Sequence, residues 1–303
     1  MCQCCPAMLV GRKRPFTRPG DAAMSYREIL VQFDDCPAGA ARVEAAMRLA
    51  EQHTAHLTGL VLDIQPRIPM SIDGGVPQFV TEALNRSAAE ETERTVARMD
   101  ALLDRQRCVA ERRICKCDDT AIDRALALNA RYADLLVLGQ ALPGHSALVG
   151  RLEIETVVMS CGRPVLLVPQ AGLRPTIGKR IVVAWDAGRA AARAVADAMP
   201  MLEKAASVTV LVVDAASTPS GHGALPGADI GTLLARHGVT VEVVSLSSEG
   251  SDVADVVLNW MFDHDADLLV MGAYGHSRAR EWVLGGATRS ILDRMTVPVL
   301  MSH

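Results

Sequence analysis

No apolar stretch of this 303-residue chain approaches the roughly 18 residues that a bilayer-crossing helix needs, so membrane insertion is not expected. An excess of basic residues is also missing. Lys and Arg number 31 against 35 Asp and Glu, a net charge of −4, and the cations gather into no stripe. Counterion-releasing contacts with DNA or RNA are therefore excluded as a main activity. The eight cysteines, Cys2, Cys4, Cys5, Cys36, Cys108, Cys115, Cys117 and Cys161, lack the regular spacing of a disulfide framework. A reducing cytoplasm is the expected compartment. Cys2, Cys4 and Cys5 have no second paired cluster to complete a zinc site, and no metal is assigned.

Several catalytic signatures are missing as well. No strand is followed by G-x-G-x-x-G, which a dinucleotide dehydrogenase needs, nor by the S-G-G-x-D-type loop of adenylating enzymes. GHSAL at 144–148 has Leu148 where the second glycine of a nucleophile elbow belongs. His53 and His56 straddle a change from helix to strand, do not share a face as metal ligands would, and are expected on the surface. Cys115 and Cys117 flank Lys116 on a strand, where same-side packing is favoured over a redox pair. No carboxylate cluster announces a Mg²⁺ site. No catalytic residue is assigned.

What is present is a repeat. EILVQFDD at 28–35 matches RIVVAWDA at 180–187, ADLLVLGQ at 133–140 matches ADLLVMGA at 266–273, and RPVLLVP at 163–169 matches VPVLMSH at 297–303. The order is the same in both copies, and the first carries an insertion of about 19 residues around 63–90 (compare). The chain divides into a loose tail (1–24), a first domain (25–170), a linker rich in Gly and Pro (170–178), and a second domain (178–303). Met24, directly before SYREILV, is a second candidate start. Near-continuous Val/Ile/Leu strands alternate with helix-period segments, which predicts α/β architecture: two tandem Rossmann-like domains, each a five-stranded parallel sheet flanked by helices. Ligands of such sheets bind beyond the carboxyl ends of the strands, which selects Asp186 and Gly272.

MGAYGHSRAREWVLGGATRS at 271–290 passes from that strand end into a helix start. Glycines let a ligand approach the main chain, and the amides of a helix start attract phosphate. On the motif alone, plain turn-making is an equal reading. Within a duplicated five-strand unit opening on IVVAWD, the spacing Gly272-x2-Gly275-x9-Gly285 resembles the universal stress protein family in its tandem form. The resemblance covers nearly all of 25–303. The family motif is G-x2-G-x9-G-[ST], and members that carry it bind ATP, while another branch lacks both. It implies Gly272 near the ribose, backbone contacts to phosphates from Gly275, Gly285, Gly286 and Ala287, and the hydroxyl of Thr288. It also implies Asp186 on the adenine or ribose side and main-chain groups near Val212 for the base. Gly286 departs from the pattern by standing where the family has Ser or Thr.

The first copy keeps Gly139 and Asp34, but Leu142 replaces the second glycine, and Glu153 and Glu155 would repel phosphate. It reads as a pseudo-site, with Asp34 as a helix cap; for Asp186, ligand contact is favoured narrowly over the same role. Function is expected to be that of an adenine-nucleotide-binding stress regulator, taking ATP, ADP or AMP, with Mg²⁺ as an optional companion and weak hydrolysis left open. The alternatives are a nucleotide-free interaction platform and, less favoured, an ATP-hydrolysing or adenylating enzyme. The resemblance further implies that the two domains pair through their last strands as an internal pseudo-dimer, with homodimerisation left open.

Overall fold

Along EILVQF, alternation sends Ile29, Val31 and Phe33 to one face of the strand and Leu30 to the other, and all four are buried. A strand covered on both faces demands helices on both sides. The computed structural model describes residues 25–65, 77–104, 110–140, 151–215, 225–273 and 286–303. In the first half these form β1 (Glu28–Phe33), α1 (Pro37–His53), β2 (His56–Gln65), α2 (Gln78–Leu103), β3 (Ala110–Asp118), α3 (Ile122–Ala130), β4 (Leu135–Gly139), α4 (Arg151–Ser160) and β5 (Val165–Val168). The second half repeats the order: β6 (Arg180–Ala184), α5 (Arg189–Leu202), β7 (Ser207–Val213), α6 (Ala228–Arg236), β8 (Val241–Leu246), α7 (Val253–Asp263), β9 (Leu268–Gly272), α8 (Gly286–Arg294) and β10 (Val299–Ser302).

All ten strands join one sheet in the order β3-β2-β1-β4-β5-β10-β9-β6-β7-β8. Within each half the pairings are parallel; the seam, β5 on β10, is antiparallel. One core layer lies under α1, α2, α5 and α6, the other under α3, α4, α7 and α8. The insertion expected around 63–90 overlaps only the first half of α2, whose 26 residues compare with nine in the equivalent α6. Cys115 and Cys117 are both buried and pack in one core layer.

The repeated ADLL sequences have a structural reason that the repeat alone does not give. Asp134 accepts hydrogen bonds from the amides of Arg27 (2.7 Å) and Glu28 (3.1 Å). Its counterpart Asp267 accepts from those of Lys179 (3.1 Å) and Arg180 (2.8 Å), and from the Thr176 hydroxyl at 2.5 Å. Each aspartate ties down the entry to the first strand of its half, and Asp267 anchors the linker too.

Away from the seam, the halves meet beside the linker. The Tyr26 hydroxyl donates to the Asp197 carbonyl at 2.7 Å, and Arg48 donates to the carbonyls of Arg174 (2.9 Å) and Pro175 (3.2 Å). His53 is not on the surface as expected: it is 3% exposed, with Tyr26 against its ring. Its Nδ1 meets the Lys204 ammonium at 3.2 Å and the Ser25 hydroxyl at 3.3 Å. Helical periodicity places residue 53 at the end of α1 but cannot foresee a second domain closing over it. Burial, reinforced by the Lys204 charge, pushes the imidazole from 6.5 down to about 4.

The unfolded chain therefore takes up this proton first. The His53 contribution to stability should be intact above pH 6.5, then decline until about pH 4, by at most about 3 kcal/mol. Urea titrations across this range should show the slope in the parent chain and its loss in His53→Asn.

Candidate functional site

The carboxyl ends of β6 and β9 bound a cavity of about 250 Å³ whose wall includes Trp185, Asp186, Gly272, Gly286, Ala287 and Thr288. Five of the eight residues implied by the resemblance thus come together. Gly275 and Gly285 lie outside the described residues, as do Tyr274, His276, Arg278 and Arg280. Leu211, Val213, Val257 and Met271 add an apolar floor. A larger cavity, about 410 Å³, lies at the opposite edge of the second-half strands, among Gln52, His53, Lys179 and Lys204. It is remote from the strand ends where ligands of such sheets bind.

Asp186 follows β6 in a tight turn. Its carboxylate accepts from the Gly188 amide at 2.8 Å, and Ala187 between them adopts φ 58°, a left-handed conformation unusual for a residue with a β-carbon. Gly188, two positions on, is the N-cap of α5. Asp186 therefore fixes the turn before the helix instead of capping it, and stands at the cavity wall.

Val212 has the right strand but the wrong parity. Its side chain is fully buried in the opposite core layer. Its backbone direction follows from two bonds: Leu211 O accepts from Trp185 N on the β6 side (3.0 Å), and Asp214 N donates to Leu246 O on the β8 side (2.9 Å). Because successive residues turn their amides to alternate neighbours, Val212 faces β8. Val213 faces the space beyond the end of β6 and lines the cavity. The main-chain groups expected near Val212 belong to Val213, a one-residue distinction that the sequence pattern does not resolve.

The two described glycines of the motif answer different demands. A β-carbon on Gly272 would lie 2.4 Å from Ala191 N and 2.5 Å from Ala190 C, so the backbone of α5 occupies its side-chain space. Helix-on-strand packing requires this glycine whether or not a ligand is present. Gly286, the first residue of α8, is open: among the described residues a β-carbon there meets nothing within 4 Å. Thr288, in the first turn, is buried at the cavity wall. Gly286→Ser should fold like the parent and, by supplying a hydroxyl at the helix start, raise affinity for ATP by up to about tenfold; calorimetric titration of both proteins measures this.

The equivalent place in the first half is built otherwise. Asp34 is no helix cap: the N-cap of α1 is Cys36, and Asp34 receives only a long bond, 3.4 Å, from its amide. Its main partner is Arg42, at 3.1 Å, with side chains 7% and 5% exposed. Arg42 also donates to the Gln32 carbonyl (3.1 Å) and to its side-chain oxygen, and lies under Gly139, about 3.0 Å from where a β-carbon would be. Burial would raise the Asp34 pKa, but the Arg42 charge and the bonds from Cys36, Arg42 and Gln32 prevail and hold it below its ordinary value. The matching position in the second half is Ala194, fully buried in α5. Arg42 reads in sequence as one polar residue of an amphipathic helix, which explains why it was missed.

Among the described residues, no three His, Cys, Asp or Glu side chains are grouped to hold a metal ion, and no helix is long and apolar enough to cross a membrane.

Fold and crevice define a tandem Rossmann-like α/β protein, two doubly wound units fused edge to edge. Residues 178–303 match the sequence model of the Universal stress protein family. The second half is thus similar to that family in sequence, and the first half shares the fold of solved structures. It is similar to Universal stress protein Slr1230 of Synechocystis sp. (strain ATCC 27184 / PCC 6803 / Kazusa), 27% identical over 172 residues, which are 55% of this chain and 57% of that protein. A universal stress protein from Archaeoglobus fulgidus DSM 4304 superposes with a TM-score of 0.68 at 16% identity, covering 91% of this chain and 95% of the other. A functionally unknown protein from Pseudomonas aeruginosa PAO1 gives 0.54 at 18%, covering 91% and 92%.

Proposed function

We propose that this chain is a stress-response regulator that binds an adenine nucleotide, ATP in the first instance, in its second domain, and that the first domain is a silent scaffold. The observation that supports this reading most is the convergence of Asp186, Gly272, Gly286, Ala287 and Thr288 on one cavity wall. An acidic acceptor stands at one side for sugar or base, and a helix start without β-carbon obstruction stands at the other for phosphate. Val213 supplies main-chain groups toward the base. Bound Mg²⁺ would be held mainly by phosphate oxygens, in keeping with its preference for few protein ligands. The proposed site lies in the cytoplasm and acts by binding, with partner choice as the output.

The test is direct. Protein purified without added nucleotide is denatured and the released small molecules are identified, and ATP is titrated by calorimetry into the parent and Asp186→Asn. The asparagine keeps an oxygen for the Gly188 amide while removing the charge, so the turn should survive and affinity should fall by about tenfold. No released nucleotide together with no heat at millimolar ATP would refute the reading and leave the interaction-platform alternative standing.

A further inference from the structure

The seam between the halves has an internal two-fold. Leu166 pairs with Leu300, flanked by Val165 with Met301 and Leu167 with Val299. The repeats RPVLLVP and VPVLMSH align Leu166 with Leu300, so the axis passes through this pair. In an interface of this symmetry, residues close to the axis meet their own equivalents. The helices above the seam, α4 and α8, end at matching residues, Ser160 and Arg294, which aligns Glu155 with Arg289. Equivalent positions here carry opposite charges.

Helical periodicity turns both positions toward the seam. On α8, Thr288, Ile291 and Leu292 form the buried stripe, and at 100° per residue Arg289 and Arg294 fall on opposite flanks of it. Arg294 engages α7 through Asp252 (2.6 Å) and Asp255, so the Arg289 flank faces away from α7, across β10 to β5. The same geometry turns Glu155 toward α8. The seam is closed here, because the Gln140 side chain of the first half donates to the Leu292 (2.9 Å) and Asp293 (3.2 Å) carbonyls at the end of α8. Glu155 is 4% exposed, and its Oε1, like Nε of Arg289, is buried with no hydrogen-bond partner among the described residues. A buried carboxylate is costly, and the opposite charge of half-buried Arg289 across the axis is the compensation at hand, acting beyond hydrogen-bond distance.

We propose that Glu155 and Arg289 encode the specificity of the seam: opposite charges near its two-fold axis favour pairing of the first half with the second and oppose pairing of either half with its like. A first half facing a first half would bring two glutamates together, and two second halves would bring two arginines together. Fusion has thus been accompanied by a charge code that commits each seam to an unlike partner, and the occupant that fits is the other half of the chain.

Charge exchange in the full chain tests this, with urea unfolding and light-scattering mass as readouts. Glu155→Arg and Arg289→Glu each place like charges at the axis. Each should lower the folding equilibrium constant at least about tenfold, and the double exchange should return it to within about threefold of the parent. The single-variant losses should shrink as salt rises. Losses that multiply in the double exchange, with no recovery, would overturn the proposal. Should a single exchange prevent folding, the neutral cycle Glu155→Gln, Arg289→Gln and both together carries the same decision: coupling supports the code, and independent effects overturn it.

Discussion

Gly272→Val is expected to cost the second domain about 3 kcal/mol or more of stability with no nucleotide present. A β-carbon there would sit 2.4 Å from a backbone nitrogen and 2.5 Å from a backbone carbon of α5. Neither atom belongs to a flexible side chain that can swing aside, so helix and strand must separate. Urea unfolding of the nucleotide-free variant measures the loss. A variant as stable as the parent, with only its ligand affinity reduced, would show that Gly272 serves the ligand and not the packing. Gly286→Ser is the natural control, because it adds atoms to the same crevice where no described residue stands in the way.

The second large effect lies in the first domain. Arg42→Met should destabilise the chain by about 3 to 5 kcal/mol, the usual consequence of leaving a buried charge without its partner. Asp34 would be that orphan, since its side chain is only 7% exposed. Its pKa, now held low against burial, should rise once the guanidinium is gone. Adding Asp34→Asn to Arg42→Met should recover most of the loss, because the remaining groups are neutral. Equal stability of Arg42→Met and the parent would mean that the ion pair contributes nothing. Arg42 also bears on ligand choice: the acid matching Asp186 is already engaged by a side chain of its own domain, independent of the glycines missing from the loop.

The architecture was legible in the sequence because it rests on repetition and periodicity. Matching strands such as IVVAW and DLLVMG, and the third matched pair that closes each copy, foretold two doubly wound units; that they join through their last strands was what the family resemblance implied. The lining of the candidate crevice was legible where a residue type is tied to a position: an acid after the first strand, glycine at the end of the fourth, small residues at the following helix start. What escaped depends on folding back in three dimensions. Val213 rather than Val212 faces the crevice because strand pairing sets which amides point outward. Arg42 looked like a polar residue on a helix, yet it reaches under Gly139 to Asp34. His53 looked exposed because its cover, Lys204 and Tyr26, lies far away in the chain or before its helix. The aspartates of ADLL were seen only as part of a repeat, although each clamps two backbone amides.

The antiparallel seam gives the whole particle a direction. Strands of the first half run opposite to those of the second, so the two crevice rims open at opposite ends of the sheet. A protein that docks over the second-half crevice meets Asp186 and the start of α8 on one side, and on the other the blunt entry ends of the first-half strands, never the other crevice. On the reading proposed above, a ligand in the second-half crevice would act at one end of the molecule alone.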